Sequence, residues 1–195
     1  LARIARVAGA IITGSDLSET ETVAGLRADG INVSLQQSAE SIPQDCDLLV
    51  ISAAIRKDHP EVLEAQRRGI EVLKYAQLLG RLMIGRRGIA IAGTHGKSST
   101  TSMLSHILIQ TGLDPSFIVG ANCKQIGGGS RTTTSHSDLL VAEACEFDRS
   151  FHHFHHTLAA ILNVEEDHME IYGTLEAIIE SFRVFASILP DESQG

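Results

Sequence analysis

Short runs of consecutive apolar residues alternate along this chain with stretches in which apolar residues recur every three to four positions, and the changes of rhythm fall at turn-forming residues. A strand covered on both faces of a parallel sheet needs no polar alternation, whereas a helix packed on that sheet carries one apolar stripe. The run "AGAIITGSD" (8–16) predicts a short strand ending in a turn. In "SETETVAGLRADG" (18–30), Ser18 or Thr20 can cap a helix that Gly30 ends. "CDLLVISAAI" (46–55) predicts a strand buried on both faces, and "HPEVLEAQRRG" (59–69) a helix entered at Pro60 and left at Gly69. "IEVLKYAQLLGRLMIG" (70–85) predicts a short strand followed by an amphipathic helix. Repetition of this kind is that of an α/β protein with a doubly wound, Rossmann-like parallel sheet, whose ligands sit beyond the carboxyl ends of its strands.

The pattern restarts near "IGRRG" (84–88), which places a domain junction there and gives domains of 1–84 and 85–195. The second domain opens with a strand over 88–92, a loop over 93–98 and a helix to about Gln110. A strand follows at "SFIVG" (116–120), then a glycine- and hydroxyl-rich loop or weak hairpin over 122–137. "DLLVAEA" (138–144) and "LAAILNV" (158–164) predict two more buried strands, and "TLEAIIESFRVFASIL" (174–189) an amphipathic helix. The chain begins at Leu1 rather than a methionine, inside a helical pattern, and is expected to be a piece of a longer protein.

Composition narrows the chemistry. The 195 residues carry 16 Lys and Arg against 24 Asp and Glu, a net charge of −8, which argues against a nucleic-acid partner. No apolar run is long enough to span a bilayer. Three scattered cysteines without CxxC spacing read as reduced thiols, which points to a cytoplasmic protein.

The candidate chemistry begins at "GIAIAGTHGKSST" (88–100). Gly93 and Gly96 allow a tight turn that brings backbone N–H groups near an anion, and Lys97 opens a helix whose N-terminus is partially positive. Lys97 can reach phosphate oxygens and Ser98 can ligate Mg²⁺. Ile91 stands where the full P-loop motif has glycine, so "GTHGKS" is a shortened form; a plain strand–turn–helix joint is the alternative. Two acidic groups follow predicted strands: Glu143, Glu146 and Asp148 in "EACEFD", and Glu165 and Asp167 beside Asn163 and His168 in "NVEEDH". Taken singly each is a solvated loop; jointly, downstream of a phosphate loop, they suit Mg²⁺. In "FHHFHHT" (151–157) four histidines could bind a transition metal on a helical face, although no cysteine or carboxylate completes a defined spacing and packing is the plainer reading.

Together "GSDLSET", "ISAAIRKDHPEV", "GIAIAGTHGKSSTTSML", "GLDPSFIVG", "VAEACEFDRSF" and "ILNVEEDHMEIYG" resemble the Mur ligases, ATP-dependent amide-forming enzymes of peptidoglycan precursor synthesis, across essentially the whole chain. His95 in "GTHGK" points to the muramate-using branch. The resemblance implies a UDP-sugar-binding Rossmann-like domain lacking its first strand, followed by an incomplete P-loop-type α/β ATPase domain. It implies that Gly93, Thr94, His95, Gly96, Lys97, Ser98, Ser99 and Asn163 bind ATP, with Lys97 on its phosphates. Ser98 and Glu143 would hold Mg²⁺, and His168 a second cation, with Lys97, Glu143 and His168 as the catalytic set. Ser15, Asp16 and Ser52 would lie where the family binds the uridine diphosphate of its substrate. The implied reaction joins L-alanine to the lactyl carboxylate of UDP-N-acetylmuramate through an acyl phosphate. Rival readings are a ligase that attaches recycled tripeptide to the same acceptor, a different P-loop hydrolase or kinase, and an inactive nucleotide-binding fragment. Departures from the family pattern are Cys145 in place of an aspartate, Ala121 in place of a glycine after "FIVG", and the absence of the glycine-rich loop expected before Leu1.

Overall fold

Strand and helix alternate from the first residues of the computed structural model, which describes residues 1–190 and forms two compact units, one on residues 4–75 and the other from residue 76 onward. The first unit contains α1 (Ala2–Val7), β1 (Thr13–Ser15), α2 (Glu21–Ala28), β2 (Asn32–Ser34), β3 (Leu48–Ile51), α3 (Pro60–Arg68) and β4 (Glu71–Lys74). β1 pairs in parallel with β2, and β3 in parallel with β4, as two separate two-stranded sheets. Thr20 caps α2 by accepting the Val23 N–H at 3.2 Å, and Val23 packs with Ile31 and Val33 in a small core. α3 starts at Pro60 behind a His59 cap and ends at Gly69, whose left-handed φ of 70° suits glycine. Arg68 then donates to the carbonyls of Pro43 and Gln44 at 2.7 and 2.8 Å, tying the helix end to the approach to β3. β3 itself is half-buried along its length rather than covered on both faces, because its sheet has a single neighbouring strand among the described residues.

The second unit contains α4 (Tyr75–Met83), β5 (Arg87–Ala92), α5 (Lys97–Gln110), β6 (Ser116–Ile118), β7 (Ser130–Arg131), β8 (Leu139–Glu143), β9 (Leu158–Ile161), α6 (Met169–Tyr172) and α7 (Leu175–Ala186). Its sheet has the order β7-β6-β8-β5-β9, all parallel except the short β7, through which the glycine- and hydroxyl-rich segment pairs antiparallel with β6 rather than with itself. β8 lies inside the sheet and is buried from Leu139 to Ala142, as its apolar run requires. The apolar run at 158–164 predicts burial too, but among the described residues β9 is the last strand of the sheet and Leu158 remains 59% exposed. Asp114 pins the loop after β7: its carboxylate accepts Thr134 and Ser135 backbone N–H groups at 2.7 and 2.8 Å. Burial opposes ionisation there, yet those hydrogen bonds hold the carboxyl well below the usual range.

The histidine-rich segment is not a helical metal face. The 3-10 segment ends at His153 and the backbone is extended at Phe154, so His155 and His156 lie beyond it and the four histidines are not carried on one helix. Phe151 stacks on Phe185 of α7 with centroids 4.8 Å apart, and His156 stacks on the same ring at 4.4 Å. The segment is a packing element against α7.

Candidate functional site

The carboxyl ends of β5, β8 and β9, adjacent parallel strands, gather the residues picked out in the second half of the sequence. β5 runs into Gly93, whose φ of 140° is closed to other residues and whose missing Cβ would stand 3.2 Å from the Asn163 nitrogen. Gly96, at φ 83°, then caps α5, and Lys97 is the first residue of that 14-residue helix. The first amides of a helix have no partner within it, so this terminus presents N–H groups to an anion.

Asn163, after β9, clamps the turn from the side. Its Oδ1 accepts the His95 N–H at 2.7 Å, its Nδ2 donates to the His95 carbonyl at 3.1 Å, and its own carbonyl accepts the Thr94 N–H at 3.1 Å. Thr94 extends the seam, its hydroxyl accepting the Glu165 N–H at 2.9 Å. The His95 side chain, 67% exposed, lies free of this backbone clamp with Nε2 3.9 Å from a Glu165 carboxylate oxygen.

The Lys97 ammonium folds back over the loop. Nζ donates to the carbonyls of Gly93 and Thr94, and both carboxylate oxygens of Glu146 lie 2.9–3.0 Å away. Next on α5, Ser98 donates its hydroxyl to Oε1 of Glu143 at 3.1 Å, while Oε2 of Glu143 accepts the Gly120 N–H at 2.7 Å. An ammonium, a helix N-terminus and a hydroxyl beside a carboxylate form a donor and ligand set that fits a polyphosphate with one divalent cation.

His168 sits slightly apart. It precedes α6 in a left-handed conformation and falls with Glu146 and Asp167 in a group whose potential ligand atoms lie within 4.8 Å of one another. The structure therefore places two carboxylate groupings at the strand ends, Ser98 with Glu143 and His168 with Glu146 and Asp167. Ser99 lies in the first turn of α5. In the first unit, Ser15 ends β1, Asp16 follows it and Ser52 follows β3, so these three stand at strand ends of two different sheets.

Sequence reasoning took Glu146 only as one of several acidic residues suited to Mg²⁺, and passed over Tyr172 and Ser181. The buried Tyr172 hydroxyl donates to the Glu146 carbonyl at 2.6 Å and lies 3.2 Å from Ser181 Oγ, which is 2.9 Å from His152 Nε2. The Ser181 carbonyl also lies 2.9 Å from that nitrogen, so His152 carries its proton on Nε2 and donates. No local motif announces this chain of bonds, because its members lie 9 to 29 residues apart.

A parallel α/β unit whose β5 feeds a glycine-bracketed loop and a lysine-led helix is a phosphate-loop protein in its architecture. Residues 1–87 match the family model described as Mur ligase family, catalytic domain, and residues 91–194 that of the Mur ligase middle domain. The chain belongs to the Mur ligase family. It is 40% identical over its whole length to the UDP-N-acetylmuramate–L-alanine ligase of Carboxydothermus hydrogenoformans, covering 42% of that protein. Against the ligase of the same name from Rubrobacter xylanophilus it is 44% identical, over 93% of this chain and 40% of the relative. Thus the chain spans about two-fifths of the length of these curated relatives. Among solved structures, a UDP-N-acetylmuramate:L-alanyl-gamma-D-glutamyl-meso-diaminopimelate ligase from Neisseria meningitides superposes with a TM-score of 0.87 at 28% identity, over 98% of this chain and 64% of that one. A UDP-N-acetylmuramate-alanine ligase from Thermotoga maritima gives 0.86 at 26% identity, over 96% and 44%.

Proposed function

We propose that this chain supplies the UDP-sugar-binding and ATP-binding parts of a ligase that joins L-alanine to the lactyl carboxylate of UDP-N-acetylmuramate in peptidoglycan synthesis. The observation that carries the reading is the pairing of Ser98 on α5 with Glu143 at the end of β8, 3.1 Å apart, beside a lysine-led phosphate loop. Residues 1–84 form the UDP-sugar domain in this reading, with Ser15, Asp16 and Ser52 on the uridine diphosphate, and residues 85–195 the ATP domain. The names of the curated relatives support the substrates. No helix among the described residues is long and apolar enough to cross a membrane, which is compatible with a cytoplasmic site of action.

ATP, when bound, would pass its terminal phosphoryl group to the lactyl carboxylate and leave as ADP, the alanine amine would then displace phosphate from the acyl phosphate to form the amide, and Mg²⁺ would offset the negative charge of the phosphates. Gly93, Thr94, His95, Gly96 and Ser99 shape and line the loop, with Asn163 clamping it. Lys97 orients the phosphates and offsets charge that builds on them, and the α5 N-terminus adds its partial positive charge. Ser98 and Glu143 would hold Mg²⁺, and His168 a second cation. Most of what such residues contribute to phosphoryl transfer is position.

The test uses the protein as its gene encodes it. ADP release with ATP and UDP-N-acetylmuramate is expected to require L-alanine, and Lys97→Ala is expected to abolish it while UDP-N-acetylmuramate still binds. Release that needs a tripeptide instead supports the second reading, since the tripeptide-named ligase superposes at a TM-score of 0.87 and the alanine-named one at 0.86. Release with neither, or ligation by Lys97→Ala near the normal rate, overturns both.

A further inference from the structure

Glu146 is 2% exposed, and a carboxylate so buried needs a partner. That partner is the Lys97 ammonium, 2.9–3.0 Å from both carboxylate oxygens. The same ammonium is the cation the phosphate loop offers to an anion. A lysine has three donors, and here two go to the loop carbonyls of Gly93 and Thr94 and the third to Glu146. The carbonyl bonds belong to the loop itself, so the direction facing Glu146 is the one a phosphate oxygen would need.

Glu146 is held where it stands. The backbone beyond it turns through left-handed Asp148 and Arg149, at φ 53° and 54°, and the Arg149 N–H returns to the Glu146 carbonyl at 2.9 Å. The Tyr172 hydroxyl takes the same carbonyl at 2.6 Å, backed by Ser181 and His152. Two donors on one carbonyl and a buried hydroxyl chain from α6 and α7 hold the backbone from which the carboxylate reaches Lys97.

We propose that Glu146 is a positioning residue that occupies the phosphate's place on Lys97 and competes with the nucleotide for the ammonium. The proposal rests on reading the loop as a nucleotide-phosphate site. Its consequence is that nucleotide binding must break an ion pair with a buried carboxylate, so affinity is held below what the loop alone would give and the spent nucleotide leaves more readily. A carboxylate with a merely structural task would lower affinity when removed; a competitor raises it.

The experiment compares the gene-encoded protein with Glu146→Gln and Glu146→Ala by calorimetric titration with ADP and with inorganic tripolyphosphate, in EDTA so that no cation bridges carboxylate and phosphate. Loss of one charge-assisted bond to the competitor is expected to tighten both ligands by about tenfold. The tripolyphosphate arm assigns the gain to the phosphate loop rather than to the base. Glu146→Ala repeats the test without an amide to bond Lys97, and decides it if Glu146→Gln does not fold. Unchanged or weaker binding in the folded variants, with normal binding by the parent, overturns the competitor role and leaves the phosphate-site reading standing. No binding of either ligand by the parent overturns both.

Discussion

Asn163 shows how one side chain fixes a loop. Its amide spans the His95 N–H and carbonyl at 2.7 and 3.1 Å, the pairing a neighbouring strand would make. Removing it leaves both His95 groups to solvent and the turn free to widen. Each neutral hydrogen bond contributes about 1 kcal/mol net, so Asn163→Ala is expected to weaken ADP binding about tenfold. Calorimetric titration checks this, with thermal melting to show that the fold persists. The glycines and lysine of the loop were legible from type and spacing, as was the acidic character of both strand ends. The partners of those groups were not. Ser98 meets Glu143 across 45 residues, and Lys97 meets Glu146 across 49. Nothing within a local window distinguishes Glu146 from Asp148, two residues on, which is exposed where Glu146 is buried.

At the scale of elements, the segment between β8 and β9 packs more tightly than its polar sequence suggests. A Cβ on Gly80 of α4 would stand 1.8 Å from the His153 carbonyl oxygen. Alanine is worth about 1 kcal/mol over glycine inside a helix, but this clash is with backbone and cannot be relieved by a rotamer. Gly80→Ala is therefore expected to destabilise the protein by about 1–3 kcal/mol, read as a lower urea midpoint. The same packing buries His156, whose two ring nitrogens find no hydrogen-bond partner among the described residues. Burial lowers its pKa below the ordinary 6.5, and burial lowers that of His152 likewise. The unfolded chain then takes up protons below pH 6.5 that the folded chain resists. Stability is retained above pH 6.5 and lost as pH falls from there towards the folded-state values. Urea midpoints between pH 7.5 and 5 should show this fall, and His156→Phe, which preserves a ring against Phe185, should reduce it. The sequence pattern located most helices and strands but not β2 or α6, and it overstated the burial of two strands. An apolar run says that a strand can be covered, while its position in the sheet decides whether it is.

At the scale of the whole molecule, two units carry the two halves of one proposed reaction, and neither half is complete by itself in chemistry. The first unit offers strand ends with hydroxyl and carboxylate groups, and the second a phosphate loop with its acidic partners. Family membership rests on both, since separate family models match residues 1–87 and 91–194. What the sequence alone determined was the local part: the α/β rhythm, the caps, the glycine-bracketed loop and the residue types near it, because backbone preference and apolar spacing act over a few residues. The tertiary structure decided which of those residues meet. It made β9 the last strand of its sheet among the described residues, turned the histidine run into packing against α7, and drew Glu146 onto Lys97. Those outcomes depend on strand order and burial, which are set by contacts between segments tens of residues apart.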